Sequence, residues 1–412
     1  MGSMKRYMQF VWPYKWDIVI TFLIGVVKFL IPMATPFIMK IVIDDIIGAD
    51  ELTKAQQMEG LAWCIGIVAI LFFVIRPPVE FFRQYFAQRV SNRILYDIRT
   101  KLYEHLQKLG LKFYSNNRVG DVISRTINDV EQTKEFVMTG LMNIWIDLVT
   151  VVIAIGIMMM LDVKLTLITL IALPFYMISV KYFFTKLRAL TRERSKALAG
   201  VQSYLHERVQ GMNIIKSFTL EKHEQGIFAE TNGNFLNKAL AQTRWNAYTF
   251  AVVNTITGLA PVAVLGYAGY HVIQGNITIG TMAAFIGYID MLYNPLRRLV
   301  NSSTTLTQSV ASMDRMFELF DEKYDIENKD NAIALPPVKG QVTFNDVSFR
   351  YNDEGRNVLN NIDFSIQPGQ TAAFVGMSGG GKSTIISLIP RFYDVTGGEI
   401  DIDGQDIRHV TL

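Results

Sequence analysis

Residues Gly376–Thr384 read GMSGGGKST and match the phosphate-loop pattern G-x-x-x-x-G-K-[ST]. Glycines allow successive backbone N–H groups to converge on phosphate oxygens, while Lys382 adds a positive charge and Ser383 a hydroxyl for Mg²⁺. This combination predicts a site for nucleotide phosphates. The alternative, a glycine-rich turn with a chance lysine, has less support because the motif is complete.

The flanks of this loop have the expected order. The apolar run Thr371–Val375 predicts a buried parallel strand, and residues 383–389 predict a helix that Pro390 ends. Strand, loop and helix are the context that a phosphate loop requires.

The composition is that of a membrane protein. Half of the 412 residues are apolar, mean hydropathy is +0.23, and 19% are charged, below the usual quarter of soluble domains. The net charge of +3 is too small to suggest a nucleic-acid partner. Cys64 is the single cysteine and cannot form a disulfide within the chain.

The first 16 residues mix aromatic and cationic side chains, as at a membrane interface. We predict an interfacial segment over residues 1–16, of which residues 1–3 read as a remnant of expression. No small-residue cleavage site follows the first apolar segment, so we expect it to be retained.

Six segments have about the length of 20 helical residues that crosses a hydrocarbon core of about 30 Å. The predicted spans are 17–43, 60–82, 137–161, 163–184, 246–273 and 280–300. The second contains Arg76-Pro77-Pro78, so we expect it to continue with a kink at the prolines.

Charge distribution predicts the orientation of these spans. Residues 44–60, 162–164 and 274–280 carry few cations and are predicted to face outward, whereas 83–134 and 186–244 are rich in Lys and Arg and are predicted to lie inside. Apolar residues at helical spacing predict that the spans extend into the cytoplasm, with turns near residues 113–121 and 207–221.

Several longer stretches carry a family resemblance. They are FYSNNRVGDVISRTINDVEQTKEF, LTRERSKALAGVQSYLHERVQGMNIIKSF, PLRRLV, ASMDRMFELFDE and AFVGMSGGGKSTIISLIPRFYDVTGGEIDIDG. The chain resembles a half-transporter of the bacterial multidrug ABC exporters, over residues 4–412. This implies a membrane all-α domain of six helices with cytoplasmic extensions over 17–325, a linker over 326–339, and the first part of an α/β phosphate-loop nucleotide-binding domain over 340–412.

The resemblance implies roles for particular residues. Tyr351 is expected to stack on adenine, although without the resemblance an ordinary strand aromatic is the favoured interpretation. Val358 is expected to pack beside the nucleotide. Coupling helices are expected around 113–119 and 213–218. The residues expected to bind ATP phosphates and Mg²⁺, the metal through Ser383, are Gly376, Ser378, Gly379, Gly380, Gly381, Lys382, Ser383 and Thr384.

The sequence ends at Leu412 and contains no glutamine loop, LSGGQ-type signature, acidic Walker B strand or switch histidine. Hydrolysis needs groups that hold Mg²⁺ and orient water. We therefore assign no catalytic residue within the 412 residues. We expect these residues alone to bind phosphate rather than to hydrolyse ATP. The uncovered apolar strands also predict a sheet that is incomplete by itself.

Polar side chains occur within the predicted spans. Lys28, Asp147 and Asp290 each cost about 2.5–3.5 kcal/mol at a bilayer centre, so we expect them to face protein or a water-filled cavity. Asn143, Asn254 and His271 are less costly. Two interpretations remain open for each: a translocation pathway for amphipathic or cationic solutes, or a structural role in polar packing between helices or near the membrane interface.

The function expected from these features is ATP-driven export of hydrophobic or amphipathic compounds by a dimer of identical chains. The expected location is the bacterial cytoplasmic membrane, with the amino terminus and the nucleotide-binding domain cytoplasmic. The alternatives are a lipid or lipopeptide flippase, and a nucleotide-binding membrane protein without turnover.

Overall fold

A computed structural model describes residues 2–49, 51–329, 331–352 and 355–412, except for the side chains of residues 172, 260, 300, 301 and 303. Asp50 in the predicted outer loop and Asp330 in the predicted linker lie outside the described residues, as do Met1, Asp353 and Glu354.

Most described residues are helical. The helices are α1 Ser3–Val11, α2 Lys15–Ile41, α3 Lys54–Ala69, α4 Arg76–Lys108, α5 Leu111–Asn116, α6 Val119–Ser124, α7 Val130–Glu135, α8 Ile144–Leu161, α9 Val163–Gln210, α10 Met212–Ser217, α11 Glu221–Ile273, α12 Ile279–Phe320 and α13 Lys382–Leu388. A 3₁₀ turn, Trp12–Tyr14, joins α1 to α2, and π-helical segments cover Val42–Ile47, Ile70–Ile75, Arg125–Asp129 and Phe136–Asn143.

Within the described residues, five helical stretches are long and apolar enough to cross a membrane: Ser3–Ile47, Lys54–Lys108, Val119–Leu161, Val163–Gln210 and Glu221–Ile273. They contain the first five predicted spans. The sixth, 280–300, lies within α12 but is not among the five. Asp290, Arg297 and Arg298 lower the hydropathy of that segment.

The predicted helical extensions beyond the spans, and the turns that follow them, are present. Helices α4 and α9 run without interruption through Lys108 and Gln210, and a short helix follows each of them, α5 and α10. In the second span, a π-helical segment, Ile70–Ile75, lies immediately before Arg76-Pro77-Pro78, where a kink was predicted. Such segments accommodate residues that interrupt regular α-helical hydrogen bonding.

Polar side chains cap the helices at the turns predicted to face outward. Asp162 separates α8 from α9, and its Oδ1 accepts the N–H of Leu165 at 2.8 Å. Thr53 and Gln56 form a capping box at the start of α3. Each cap satisfies N–H groups that the first turn of a helix leaves without a partner.

The chain divides into two compact units, and one of them, residues 18–87 and 140–304, contains most residues of the six predicted spans. We call it the membrane unit. Its core contains Tyr288, whose hydroxyl donates to the Met33 carbonyl at 2.8 Å, and Tyr293, whose hydroxyl donates to the Thr169 carbonyl at 3.2 Å. The other buried members of this core are Met33, Ala154, Met158, Leu165, Val264, Ala268, Ala284, Phe285, Ile289 and Leu292.

Several intramembrane polar groups pair within this unit. The Asp147 carboxylate is buried and accepts hydrogen bonds from Arg298 at 2.6 and 3.0 Å. Lys28 pairs with Glu80 at 2.6 Å, and Arg83 donates to Asn143 at 2.5 Å. These contacts favour polar packing between helices for Lys28, Asp147 and Asn143.

The other predicted intramembrane polar groups are placed differently. Asp290 is exposed, whereas Asn254 and His271 are half-buried. His271 Nδ1 lies 3.1 Å from Asn276 Nδ2. Asp290 therefore remains the acidic candidate for contact with a solute.

The second unit comprises residues 1–17, 88–139 and 305–412. Its helices are joined by ion pairs such as Arg315 to Asp129 at 2.5 Å, and Ser309 donates to the Gln132 carbonyl at 3.0 Å. Tyr7 is buried and its hydroxyl donates to the Thr133 carbonyl at 3.2 Å.

The same unit contains an antiparallel sheet in the order β2-β1-β3-β4. The strands are β1 Val342–Phe349, β2 Leu359–Ile366, β3 Gly397–Ile402 and β4 Gln405–Asp406. Val342 pairs with Ile366 on one side and with Ile402 on the other. One core joins this sheet to α13: Phe344, Val347, Phe349, Leu359, Ile385, Leu388, Ile400 and Ile407.

Asp403 connects the segment directly before β1 to this sheet. Its carboxylate accepts the N–H groups of Lys339 at 2.6 Å, Gly340 at 3.1 Å and Gln341 at 2.9 Å. These hydrogen bonds stabilise the ionised form and lower the pKa of Asp403.

One predicted element is wrong. Residues 371–375 do not form a strand, and Val375 is 94% exposed. The described strands pair antiparallel, whereas a parallel sheet was expected. A strand exists only with a hydrogen-bonded neighbour, and residues 371–375 have no such neighbour among the described residues.

We expect Arg298→Met to destabilise the membrane unit by about 1–3 kcal/mol, because it leaves the Asp147 carboxylate buried without its cationic partner. Thermal unfolding of the purified protein in detergent would show a lower midpoint. Adding Asp147→Leu should restore much of the loss, because the buried charge is then removed. An unchanged midpoint in the single variant would contradict a structural role for the pair.

Candidate functional site

The phosphate-loop motif forms an exposed loop that enters α13. Gly379 and Gly381 have φ of +86° and +82°, in the left-handed region that favours glycine. A Cβ at Gly381 would lie 2.6 Å from Leu359 Cδ2 and 3.2 Å from the Val358 carbonyl oxygen. By contrast, a Cβ at Gly376 or Gly379 would meet open space. Glycine at 381 is therefore required by packing as well as by φ.

Lys382 lies across the loop. Its Nζ donates to the carbonyl oxygens of Gly376 at 2.8 Å and Met377 at 2.7 Å. The Gly380 N–H donates to the same Met377 carbonyl at 3.1 Å. The ammonium is thus held over the loop, where a phosphate oxygen could replace a carbonyl as its acceptor.

The first turn of α13 presents two hydroxyl groups in different environments. Ser383 is exposed, whereas Thr384 is buried and its Oγ1 lies 3.0 Å from the Tyr351 hydroxyl. Ile385 and Leu388 fix the helix on the sheet core. Packing therefore orients α13 so that Ser383 is accessible.

The structure brings Tyr351 and Val358 to the loop, as the resemblance implied. The Tyr351 ring is 38% exposed and meets Phe349 edge-on, with centroids 4.9 Å apart. Val358 is half-buried, and its Cγ1 would lie 3.5 Å from a Cβ at Gly381. These positions are compatible with a nucleotide beside the loop, and stacking of Tyr351 on adenine stays a prediction.

Sequence reasoning missed Tyr393. Its ring meets Tyr351 at 90° with centroids 5.2 Å apart, and its hydroxyl lies 3.4 Å from Ser115 Oγ in α5. Tyr393 therefore connects a residue beside the phosphate loop to a short helix of the first cytoplasmic segment. The aromatic pair Phe392-Tyr393 directly after α13 was the available signal, but a contact with Ser115 cannot be read from spacing.

The residues of the loop fit a nucleoside triphosphate with Mg²⁺. Backbone N–H groups of the loop, the Lys382 ammonium and the Ser383 hydroxyl supply donors, a cation and a metal ligand. No group of three or more His, Cys, Asp or Glu side chains that could hold a metal occurs among the described residues. Mg²⁺ here would bind through phosphate oxygens and Ser383, as is usual for this ion.

Family models match both parts of the chain. The model of the ABC transporter transmembrane region matches residues 18–296, and the model described as ABC transporter matches residues 359–411. The second match includes the phosphate loop and α13.

Curated relatives match nearly the whole chain. A protein of Bacillus subtilis (strain 168), YgaD, described as a candidate multidrug export ATP-binding/permease protein, is 60% identical over 408 residues, which are 99% of this chain and 70% of the relative. Proteins of the same description from Staphylococcus aureus strains NCTC 8325 / PS 47 and Mu50 / ATCC 700699 are each 56% identical over 404 residues, covering 98% of this chain and 70% of the relative.

The apolar helices, the phosphate loop and these matches agree along the chain. The ABC transporter match begins at β2 and includes the glycine-rich loop, and the transmembrane match covers the long helices as far as residue 296 in α12. The chain is a multi-pass membrane protein with an ATP-binding region, and it belongs to the ABC transporter family.

Proposed function

We propose that this chain is a half-transporter that uses ATP to export hydrophobic or amphipathic compounds. The observation that carries the proposal is the presence, in one chain, of long apolar helices and a glycine-rich loop with Lys382 held across it. The relatives described as candidate multidrug export proteins support the same direction of transport and class of substrate.

We infer that two identical chains assemble in the cytoplasmic membrane. The family's half-transporters supply six membrane helices each, so two copies provide the full set. The cation-rich segments 83–134 and 186–244 support a cytoplasmic location for the extended ends of α4, α9 and α11. The phosphate loop then meets cytoplasmic ATP.

Nucleotide binding needs a physical connection to the helices. A chain of contacts runs from Thr384 through Tyr351 and Tyr393 to Ser115, within one compact unit. We assign α5 and α10 as the coupling helices, because α5 lies between the helical stretches Lys54–Lys108 and Val119–Leu161, and α10 lies between α9 and α11. Only a ligand that binds one conformation more tightly can shift the equilibrium between conformations.

The loop residues bind and orient phosphate rather than transfer a proton. Lys382 would neutralise charge on the β and γ phosphates, glycine N–H groups would hold their oxygens, and Ser383 would hold Mg²⁺, which would supply charge stabilisation. Tyr351 offers a half-exposed aromatic ring for the base. None of these groups is a base for water.

Lys382→Ala is expected to weaken ATP binding about tenfold or more, because a charge-assisted hydrogen bond to phosphate is lost. Fluorescence titration of the purified chain with a trinitrophenyl derivative of ATP measures this. Lys339→Ala is the matched control, because it removes an exposed lysine outside the loop. Equal affinity in all three proteins would contradict a nucleotide site at Lys382.

Asp290→Ala is expected to change the range of compounds bound more than the assembly of the protein, because Asp290 is exposed on α12. Cationic dyes should bind several-fold more weakly, while neutral dyes bind as before, since only the cations interact with the carboxylate. Asp290→Asn preserves the shape and separates charge from volume. Unchanged binding of every dye tested would rule out a solute contact at this residue.

A further inference from the structure

A cavity of about 650 Å³ lies between α9, α11 and α12 within the membrane unit. Its apolar walls include Tyr176, Val180 and Phe184 of α9 and Phe250 and Val253 of α11. Neutral polar side chains of α11 also line it: Thr243, Asn246, Thr249 and Asn254. A volume of this size with aromatic and aliphatic walls is typical of sites for small amphipathic molecules.

The cavity holds one cation that lacks a counter-charge. Arg297 of α12 lines it, and the guanidinium donates through Nη2 to the hydroxyl of the buried Thr257 at 2.5 Å. Arg297 Nε is buried and has no hydrogen-bond partner among the described residues. Thr257 is neutral, so it orients the guanidinium without neutralising it.

The neighbouring Arg298, in the same helix, differs from Arg297 because its charge is paired. It pairs with the Asp147 carboxylate through three hydrogen bonds. No ion pair of Arg297 occurs in the described structure. A cation in low dielectric is costly unless it is paired, so Arg297 favours an anion brought by a ligand.

A second cavity of about 390 Å³ shares Tyr176, Val180 and Phe184 with the first. Lys181 lines it, beside Leu296 and Leu299. The described lining of the two cavities includes two cations and no carboxylate. A cationic amphiphile would therefore meet like charge at this place.

The elements that line the cavities also have a common depth along the predicted spans. Tyr176–Leu187 includes the predicted inner end of the span 163–184, Thr243–Asn254 includes the predicted inner start of 246–273, and Arg297 is near the predicted inner end of 280–300. This level corresponds to the inner leaflet, where an amphiphile has its head group near the cytoplasm and its chain in hydrocarbon.

The geometry points to a binding site for an anionic amphiphile, with its carboxylate, sulfonate or phosphate on Arg297 and its apolar chain against Tyr176, Val180 and Phe184. This inference deepens the proposed export function, on which it rests, by naming the charge of one substrate class. A membrane lipid head group and a lipophilic organic acid would present the same chemistry.

Photolabelling of the full chain in phosphatidylcholine nanodiscs tests this site. The probe is palmitic acid with a diazirine on its chain, and the uncharged match is the corresponding diazirine-bearing palmityl alcohol. Mass spectrometry of peptides then measures labelling within Tyr176–Leu187 and Thr243–Asn254. We expect the acid to label these segments roughly tenfold more than the alcohol, the effect of one charge-assisted contact.

Three variants separate charge from packing. Arg297→Gln should bring the acid-to-alcohol ratio to about one, since it can still donate to Thr257 but has no charge. Arg297→Lys should retain most of the preference. Arg188→Gln removes an exposed cation of α9 outside the cavity lining and should label as the parent protein does.

Two outcomes would overturn the inference. One is equal labelling by acid and alcohol in the parent protein, or an unchanged ratio in Arg297→Gln. The other is loss of assembly by Arg297→Gln in size-exclusion chromatography, which would show that another copy of the chain supplies the counter-charge.

Nanodiscs prepared with phosphatidylglycerol distinguish the sources of the anion. Reduced labelling by the acid identifies a lipid head group as an occupant, whereas unchanged labelling identifies a lipophilic acid that is not a bulk lipid. Lys382→Ala should label as the parent does, because the experiment uses no nucleotide. Failure of ATP binding and failure of this site are therefore separate results.

Discussion

In a bilayer, every backbone N–H and C=O group has to find its hydrogen-bond partner inside the protein. The chain meets this constraint with helices that continue past the hydrocarbon, such as α9 over Val163–Gln210 and α11 over Glu221–Ile273. These helices extend many residues beyond the predicted spans 163–184 and 246–273. The short helix α10, which joins α9 to α11, is therefore remote from the spans along both helices. Transport by conformational change depends on such continuous elements, since a break would let one end move without the other.

The bilayer also has a low dielectric constant, so a charge without a partner is costly there. The charged side chains of the membrane helices fall into two classes, those paired with an opposite charge and those that are not. Asp147 and Arg298 compensate each other, and Lys28 has Glu80. Among the described residues, Arg297 has a hydrogen bond only with Thr257, and Asp290 is exposed. Compensated pairs stabilise helix packing, whereas charges without a protein partner are available to a solute. The difference lies in partners from other helices, so residue type alone does not reveal it.

Tertiary contacts also determine which residues lie beside the phosphate loop. Gly381 combines a left-handed φ with close approach to Val358 and Leu359, so β2 and α13 can meet at the loop. Tyr351 is bound to Thr384 on one side and meets Tyr393 on the other. A ligand on Tyr351 would thereby be one aromatic contact from the residue that reaches Ser115 in α5.

Much of this architecture could be predicted because its signals are local. The helical spans, the turns after Lys108 and Gln210, and the motif Gly376–Thr384 each depend on residues close together in sequence. The strand predicted at 371–375 was wrong because an apolar run shows that a segment can be buried, but not that a partner strand is paired with it. Tyr393 was missed for a related reason, since its contacts with Tyr351 and Ser115 are distant in sequence.

The sequence by itself determined that the chain crosses a membrane repeatedly and carries a phosphate loop, because hydropathy and glycine spacing are properties of contiguous residues. Only the tertiary structure decided which charges are paired, that Lys382 lies across its loop, and that Arg297 opens into an aromatic cavity. Those features arise from helices and strands meeting at specific faces, and pairing across such faces depends on distance in space rather than on order along the chain.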